Sequence, residues 1–166
     1  MSIDGGFDEF DSEGNGNGAA GGGVRVDQVL ARAVPIHWDE AVALIQEIVD
    51  MLVSTRHSEL PVPAFNDILI KPDGAVSLLG SGRGESGPLA AGRALHELLA
   101  NTDVPVALRL FVSQANSQNT HASLRAFGDG LAYFGKPGRA ELIRAIYQRY
   151  AGNQAAAATA QVPRQA

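Results

Sequence analysis

"FNDILIKPDGAVSLLGSGRGESG", from Phe65 to Gly87, is the stretch on which the fold turns. "ILI" and "AVSLL" are apolar, β-forming arms around Lys71, Pro72, Asp73 and Gly74. A Pro-Asp-Gly turn between two such arms predicts a β-hairpin. Both arms are nearly continuous apolar runs, so the hairpin is expected to pack against helices. The glycine-rich "GSGRGESG" (residues 80–87) raises a second question. Its backbone amides suit a phosphate, helped by Arg83 and a following helix N-terminus. Yet Glu85 and Pro88 do not help an anion, and the stretch fits no dinucleotide pattern. Glycine that simply permits tight turns is the preferred reading.

Working upstream, Pro61 and Pro63 in "PVPAFND" forbid a helix and impose an extended approach to the hairpin. Before them, "HWDEAVALIQEIVDMLVSTR" (37–56) repeats apolar residues at Trp38, Val42, Ile45, Val49 and Leu52, with Ala41 and Ile48 alongside. That spacing predicts a helix with one buried face, and burial is preferred for Trp38 over an exposed anchoring role. Asp39 and Glu40 near its start suit the helix dipole. A shorter helix, "VDQVLARAV", precedes it, with Asp27 as its expected cap and Pro35 as the break. Downstream, "GPLAAGRALHELLANT" predicts a helix with Leu89, Leu95 and Leu98 inward. Helices follow at about 104–117 and 122–134 by the same periodicity. "GKPG" (135–138) interrupts the chain. "RAELIRAIYQRY" closes the set, with Leu142, Ile143, Ile146 and Tyr150 packing. The predicted class is mainly α with one β-hairpin, spanning residues 24–151.

Both ends differ in composition. Residues 1–23 hold eight glycines and five acidic residues, with no lysine or arginine. Such a segment buries too little apolar surface to offset its ordering entropy and is expected to be a disordered arm. The low-complexity tail, 152–166, is read the same way, although its alanines favour a frayed helical extension. The whole chain has 166 residues and a net charge of −5. No basic stripe is present to neutralise nucleic-acid phosphates, so no nucleic-acid partner is expected. There is no cysteine, which removes disulfides and thiolate metal sites. No stretch approaches the roughly 20 apolar residues that cross a bilayer, and the acidic start does not resemble a signal peptide. The expectation is a soluble, cytoplasmic protein without a membrane partner.

The order of pieces resembles the helical C-terminal lobe of bacterial eukaryotic-like Ser/Thr protein kinases. It runs short helix, long helix, proline-rich loop, "NDILIKPDGAVSLLGSG", then "GRALHELL". The similarity covers about residues 24–134 and is most specific in the hairpin and in Gly92–Leu99. It implies a kinase C-lobe-like helical domain lacking the N-terminal lobe. Carried over position by position, it implies mostly losses. The catalytic base position falls on Val62, with Leu60 and Pro61 in place of its His-Arg neighbours and Ala64 in place of the catalytic-loop lysine. Asp67 stands where the family has a metal-binding Asn. "VSLLGSG" matches "VKLLDFG", so the magnesium-binding Asp becomes Gly80, the Phe becomes Ser81, and Gly82 alone is kept. The activation segment is cut to "RGES". Phosphoryl transfer needs positioned magnesium and opposing positive charge. Valine accepts no proton and glycine holds no metal. The chain is therefore expected not to be an enzyme and to use no cofactor or metal.

Other motifs read as structure. "GLAYFGKP" (130–137) nearly matches a phosphate loop, but proline replaces the magnesium-binding hydroxyl, and a helix stop at Gly135 is preferred. His37, His57, His96 and His121 show no metal-ligand spacing, and His96 is expected to be structural. Ser54, Ser81 and Ser86 lack a nucleophile context. In the arm, "FDEFDSEG" places Phe7 and Phe10 among Asp8, Glu9, Asp11 and Glu13. Aromatic-acidic segments of this kind can dock into a basic groove and order on binding, and Ser12 is a candidate for phosphorylation. The functional expectation is a non-catalytic protein-interaction or regulatory module, pseudokinase-like, whose partner is another protein. The alternative is a nucleotide- or phosphate-binding switch using Arg83, the amides of residues 80–87 and Asp67.

Overall fold

A computed structural model describes residues 22–55, 60–80, 84–117 and 120–161. The elements run β1 (Val24–Arg25), α1 (Val26–Ala31), α2 (Trp38–Ser54), a 3-10 turn (Phe65–Asp67), β2 (Ile68–Ile70), β3 (Val76–Leu78), α3 (Pro88–Leu98), α4 (Val106–Ser117), α5 (Leu124–Ala132) and α6 (Arg139–Ala160). The chain is thus mostly helical, with a small antiparallel sheet.

The predicted hairpin is β2–β3, with Ile68 opposite Leu78 and Ile70 opposite Val76. Gly74 donates to the Lys71 carbonyl at 3.0 Å and has φ +87°, a left-handed turn conformation that suits glycine. Asp73 Oδ1 accepts from the Ala75 amide at 2.9 Å, which fixes the turn. Ile68 and Ile70 are buried at 1% and 0% exposure, so the hairpin does pack inward. The single hairpin is corrected to three strands, in the order β1-β2-β3. Val24 pairs with Ile70 and Arg25 with Leu69. Two residues are too short to show alternation, so only the partner strand reveals them as β.

Helix α2 is the central beam, touching α3, α5 and α6. Its predicted stripe is buried except for Trp38 at the start, and so are Ala43, Leu44, Glu40 and Gln46. The one-sided face is therefore corrected to a helix enclosed on most sides, as befits an element covered by three others. Glu40 reaches back to accept from the His37 amide at 2.9 Å and also pairs with Arg149 of α6. Trp38 is half-buried, with the Lys136 ammonium 4.7 Å from its ring centroid and 3.1 Å from Asp39. In α1, Asp27 lies in the first turn, while the side chain of Gln28 accepts from the Arg25 amide at 3.2 Å. The expected Asp27 cap is corrected accordingly.

Two helices are shorter than their periodicity suggested. Pro105 stands just before α4, where its fixed φ suits a helix start, and the Ser123 side chain caps α5 by accepting from the Ala126 amide at 3.1 Å. Helix α6 does the opposite. It continues through Gly152 to Ala160, and residues 151–161 are all exposed. This corrects the expected boundary at 152: alanine propensity, not packing, extends the helix. At its start Arg139 reaches Asp50 at 2.5 Å and Glu47 at 3.2 Å. Partial burial works against the charged guanidinium, but hydrogen bonds to and the charges of Asp50 and Glu47 outweigh it, raising its pKa above the usual value.

Candidate functional site

The hairpin gathers the positions singled out from the sequence at one end of the sheet. Asp67 closes the 3-10 turn, its amide donating to Ala64 at 2.9 Å. Pairing continues one step past β3: the Leu79 amide donates to the Asp67 carbonyl at 2.7 Å. That bond brings Gly80 alongside, so a side chain built there would begin 3.8 Å from Asp67 Oδ1. Val62 is buried at 9% exposure, and its amide donates to the Glu85 carbonyl at 3.1 Å. A bridge between Pro61 and Ser86 extends this crossing, and the prolines hold the segment extended as predicted. Ser81, Gly82 and Arg83 lie outside the described residues, as do Phe7, Asp8, Glu9 and Phe10.

What this arrangement can do chemically is limited by its atoms. Val62 presents only methyl groups, and Asp67 faces Gly80, which has no side chain; one carboxylate is a poor start for a magnesium site. Among the described residues no three His, Asp or Glu side chains come together in a way that could hold a metal ion. The phosphate-loop-like stretch is the end of α5: Gly130 to Ala132 are helical, and the Gly135 amide donates to the Ala132 carbonyl at 3.1 Å. A Cβ at Gly135 would stand 2.7 Å from the Gln46 side-chain amide, which would have to shift to admit it.

The scattered histidines have separate settings. His37 precedes α2 and is exposed; His96 is also exposed on α3, where the sequence predicts a packed or half-exposed structural role, so that expectation is corrected to a solvent-facing position. His121 stacks among Phe111 and Phe127, with ring centroids 5.2 and 5.5 Å away. His57 lies outside the described residues.

The feature that sequence reasoning missed is a groove along α3. A pocket of about 300 Å³ lies beside Val62, Phe65, Ala90 and Arg93. A larger one, about 850 Å³, lies between α3 and α4 and shares Arg93 and Glu97 with the first. Its apolar lining includes Leu99, Val104 and Val112, and Arg93, His96 and Arg109 supply cationic or protonatable groups. Gly92 allows the two helices to approach, since a Cβ there would sit 3.0 Å from that of Ala115. Asn116 lines the larger pocket, and its Oδ1 is buried without a hydrogen-bond donor. Gly92 was the one sequence signal available, and alone it identifies a close contact without saying what opens next to it. On the outer side of α4, Val106 and Leu110 are 72% and 58% exposed, one turn apart.

Comparison with known proteins gives no family model, no curated protein and no solved structure that matches this chain.

Proposed function

We propose that the chain is a non-catalytic protein-interaction module built on the framework of a Ser/Thr kinase C-terminal lobe. The observation that carries this reading is the Val62–Asp67–Gly80 cluster. The Leu79–Asp67 hydrogen bond sets Asp67 and Gly80 side by side; the resemblance aligns both with metal ligands, and Gly80 offers no carboxylate. Such a site still has a shape but lacks the charge that phosphoryl transfer requires. Val106 and Leu110 on α4 offer apolar anchors to another protein. No described helix is long and apolar enough to cross a membrane, which supports a soluble location, and we take this to be the cytoplasm.

The test is thermal unfolding with millimolar ATP and magnesium, run beside a phosphate-transfer assay on a generic protein substrate. A ligand at a hundred times its Kd stabilises by about 2.7 kcal/mol. For a chain of this size that is roughly 5–10 °C. No shift and no transfer are expected. A shift abolished by Asp67→Asn would instead favour the nucleotide-binding switch. A photo-crosslinker at Leu110 should then give a defined adduct in extract that is missing when it is moved to the exposed Ala122. Equal labelling from both positions would remove α4 as the binding face.

A further inference from the structure

We infer that the α3–α4 groove is occupied by the chain's own aromatic-acidic arm, docked intramolecularly through Phe7 and Phe10. This inference uses only the groove and the arm, so it stands or falls independently of the kinase-like reading.

The groove specifies its occupant. Leu99 and Val112, 8% and 3% exposed, and the half-buried Val104 form an apolar lining. Arg93 and Arg109 add positive charge to it, with His96 beside them, against Glu97. Arg93 is already paired with Glu85, but that pair is exposed on both sides and readily exchanged. Arg109 makes only a 3.4 Å contact to the Val104 carbonyl and has no carboxylate partner among the described residues. A suitable occupant therefore brings apolar bulk and negative charge.

The arm carries the complementary set. Its "FDEFDSE" (7–13) has two aromatic anchors three residues apart and four carboxylates. No base occurs before Arg25, so nothing in the arm opposes the arginines. Aromatic anchors in an apolar groove with charge pairs at its edge are a recurring mode of peptide capture.

Reach permits it. The chain emerges at Gly22, whose Cβ, if built, would lie 3.2 Å from Pro72 and 3.5 Å from the Tyr147 hydroxyl. Twelve Cα–Cα steps separate Phe10 from Gly22. Fully extended they span about 40 Å, and a glycine-rich chain of that length has a root-mean-square reach of about 20 Å. A folded unit of this size has a radius of gyration of about 14 Å. The linkage also supplies an effective concentration in the millimolar range, so weak intrinsic affinity is enough.

The absence of cysteine makes the test direct, because Ser12→Cys gives the full chain a single site for a nitroxide label. In 15N-labelled protein the expected result is paramagnetic loss of the amide signals of Arg93, His96, Val112 and Asn116. The loss should disappear when Phe7→Ala and Phe10→Ala are added, which change only the arm and leave the core intact. It should weaken severalfold in Arg109→Glu and on raising salt to about 0.5 M, where charge pairs are screened. Broadening centred elsewhere, or spread evenly over the surface, overturns the proposal. So does broadening that appears only when spin-labelled chains are mixed with unlabelled 15N chains, which would place the arm on a second copy. None of these outcomes changes the ATP result expected above.

Discussion

Gly74→Ala probes one contact between the sheet and the helical body, that of the hairpin turn with α6. A Cβ at Gly74 would stand 2.0 Å from the Ala140 carbonyl oxygen, 2.9 Å from its carbon and 3.1 Å from Arg144 Cβ. Ordinary carbon–oxygen contacts are about 3.3–3.6 Å. The overlap exceeds 1 Å by this comparison, and backbone, unlike a side-chain tip, cannot swing aside. The hairpin turn must then lift off the first turn of α6. Two costs add: about 1–2 kcal/mol for an L-residue at φ +87°, and about 1–3 kcal/mol for overpacking. Gly138→Ala provides the reference. That glycine also has positive φ, +79°, but its nearest neighbour is the flexible carboxylate of Glu141 at 3.4 Å. Only the conformational cost applies there, about 1–2 kcal/mol. The two variants should differ by about 2 kcal/mol, or roughly 1 M in urea midpoint with slopes of about 2 kcal/mol/M. Equilibrium urea unfolding followed by far-UV circular dichroism measures this. If Gly138→Ala costs as much as Gly74→Ala, the turn does not rest on α6 and the reasoning fails.

Glu40→Ala should destabilise by about 1–2 kcal/mol, because it removes the pair to Arg149, which keeps its bond to the Pro35 carbonyl, and leaves the His37 amide without its acceptor. A double-mutant cycle with Arg149→Ala should return a coupling of at least about 1 kcal/mol; strict additivity would show that the pair is not formed. Gly80→Asp places a second carboxylate beside Asp67 and should cost about 1 kcal/mol at low ionic strength. Millimolar magnesium or manganese should recover that loss in thermal unfolding while leaving the parent chain unmoved, and a parent that responds equally would locate ion binding elsewhere.

The sequence by itself determined the local elements, because their causes are local. Pro72, Asp73 and Gly74 make the turn, the apolar spacing of Val42, Ile45, Val49 and Leu52 makes the helix, and Pro61 and Pro63 keep their segment extended. It also determined that the positions flanking the hairpin carry valine and glycine, which limits their chemistry whatever surrounds them. Tertiary structure alone decided three other things. Val24 and Arg25 become a strand only because Ile70 and Leu69 offer an open edge. Helix α2 is buried on most sides because α3, α5 and α6 surround it, and periodicity reports an element's own faces but not how many neighbours arrive. The groove depends on how closely Gly92 lets α3 meet α4, and on residues from Arg93 to Ser117 turning toward one space. Those are distances between segments far apart in the chain, set by the balance of all the packing at once, and no short stretch encodes them.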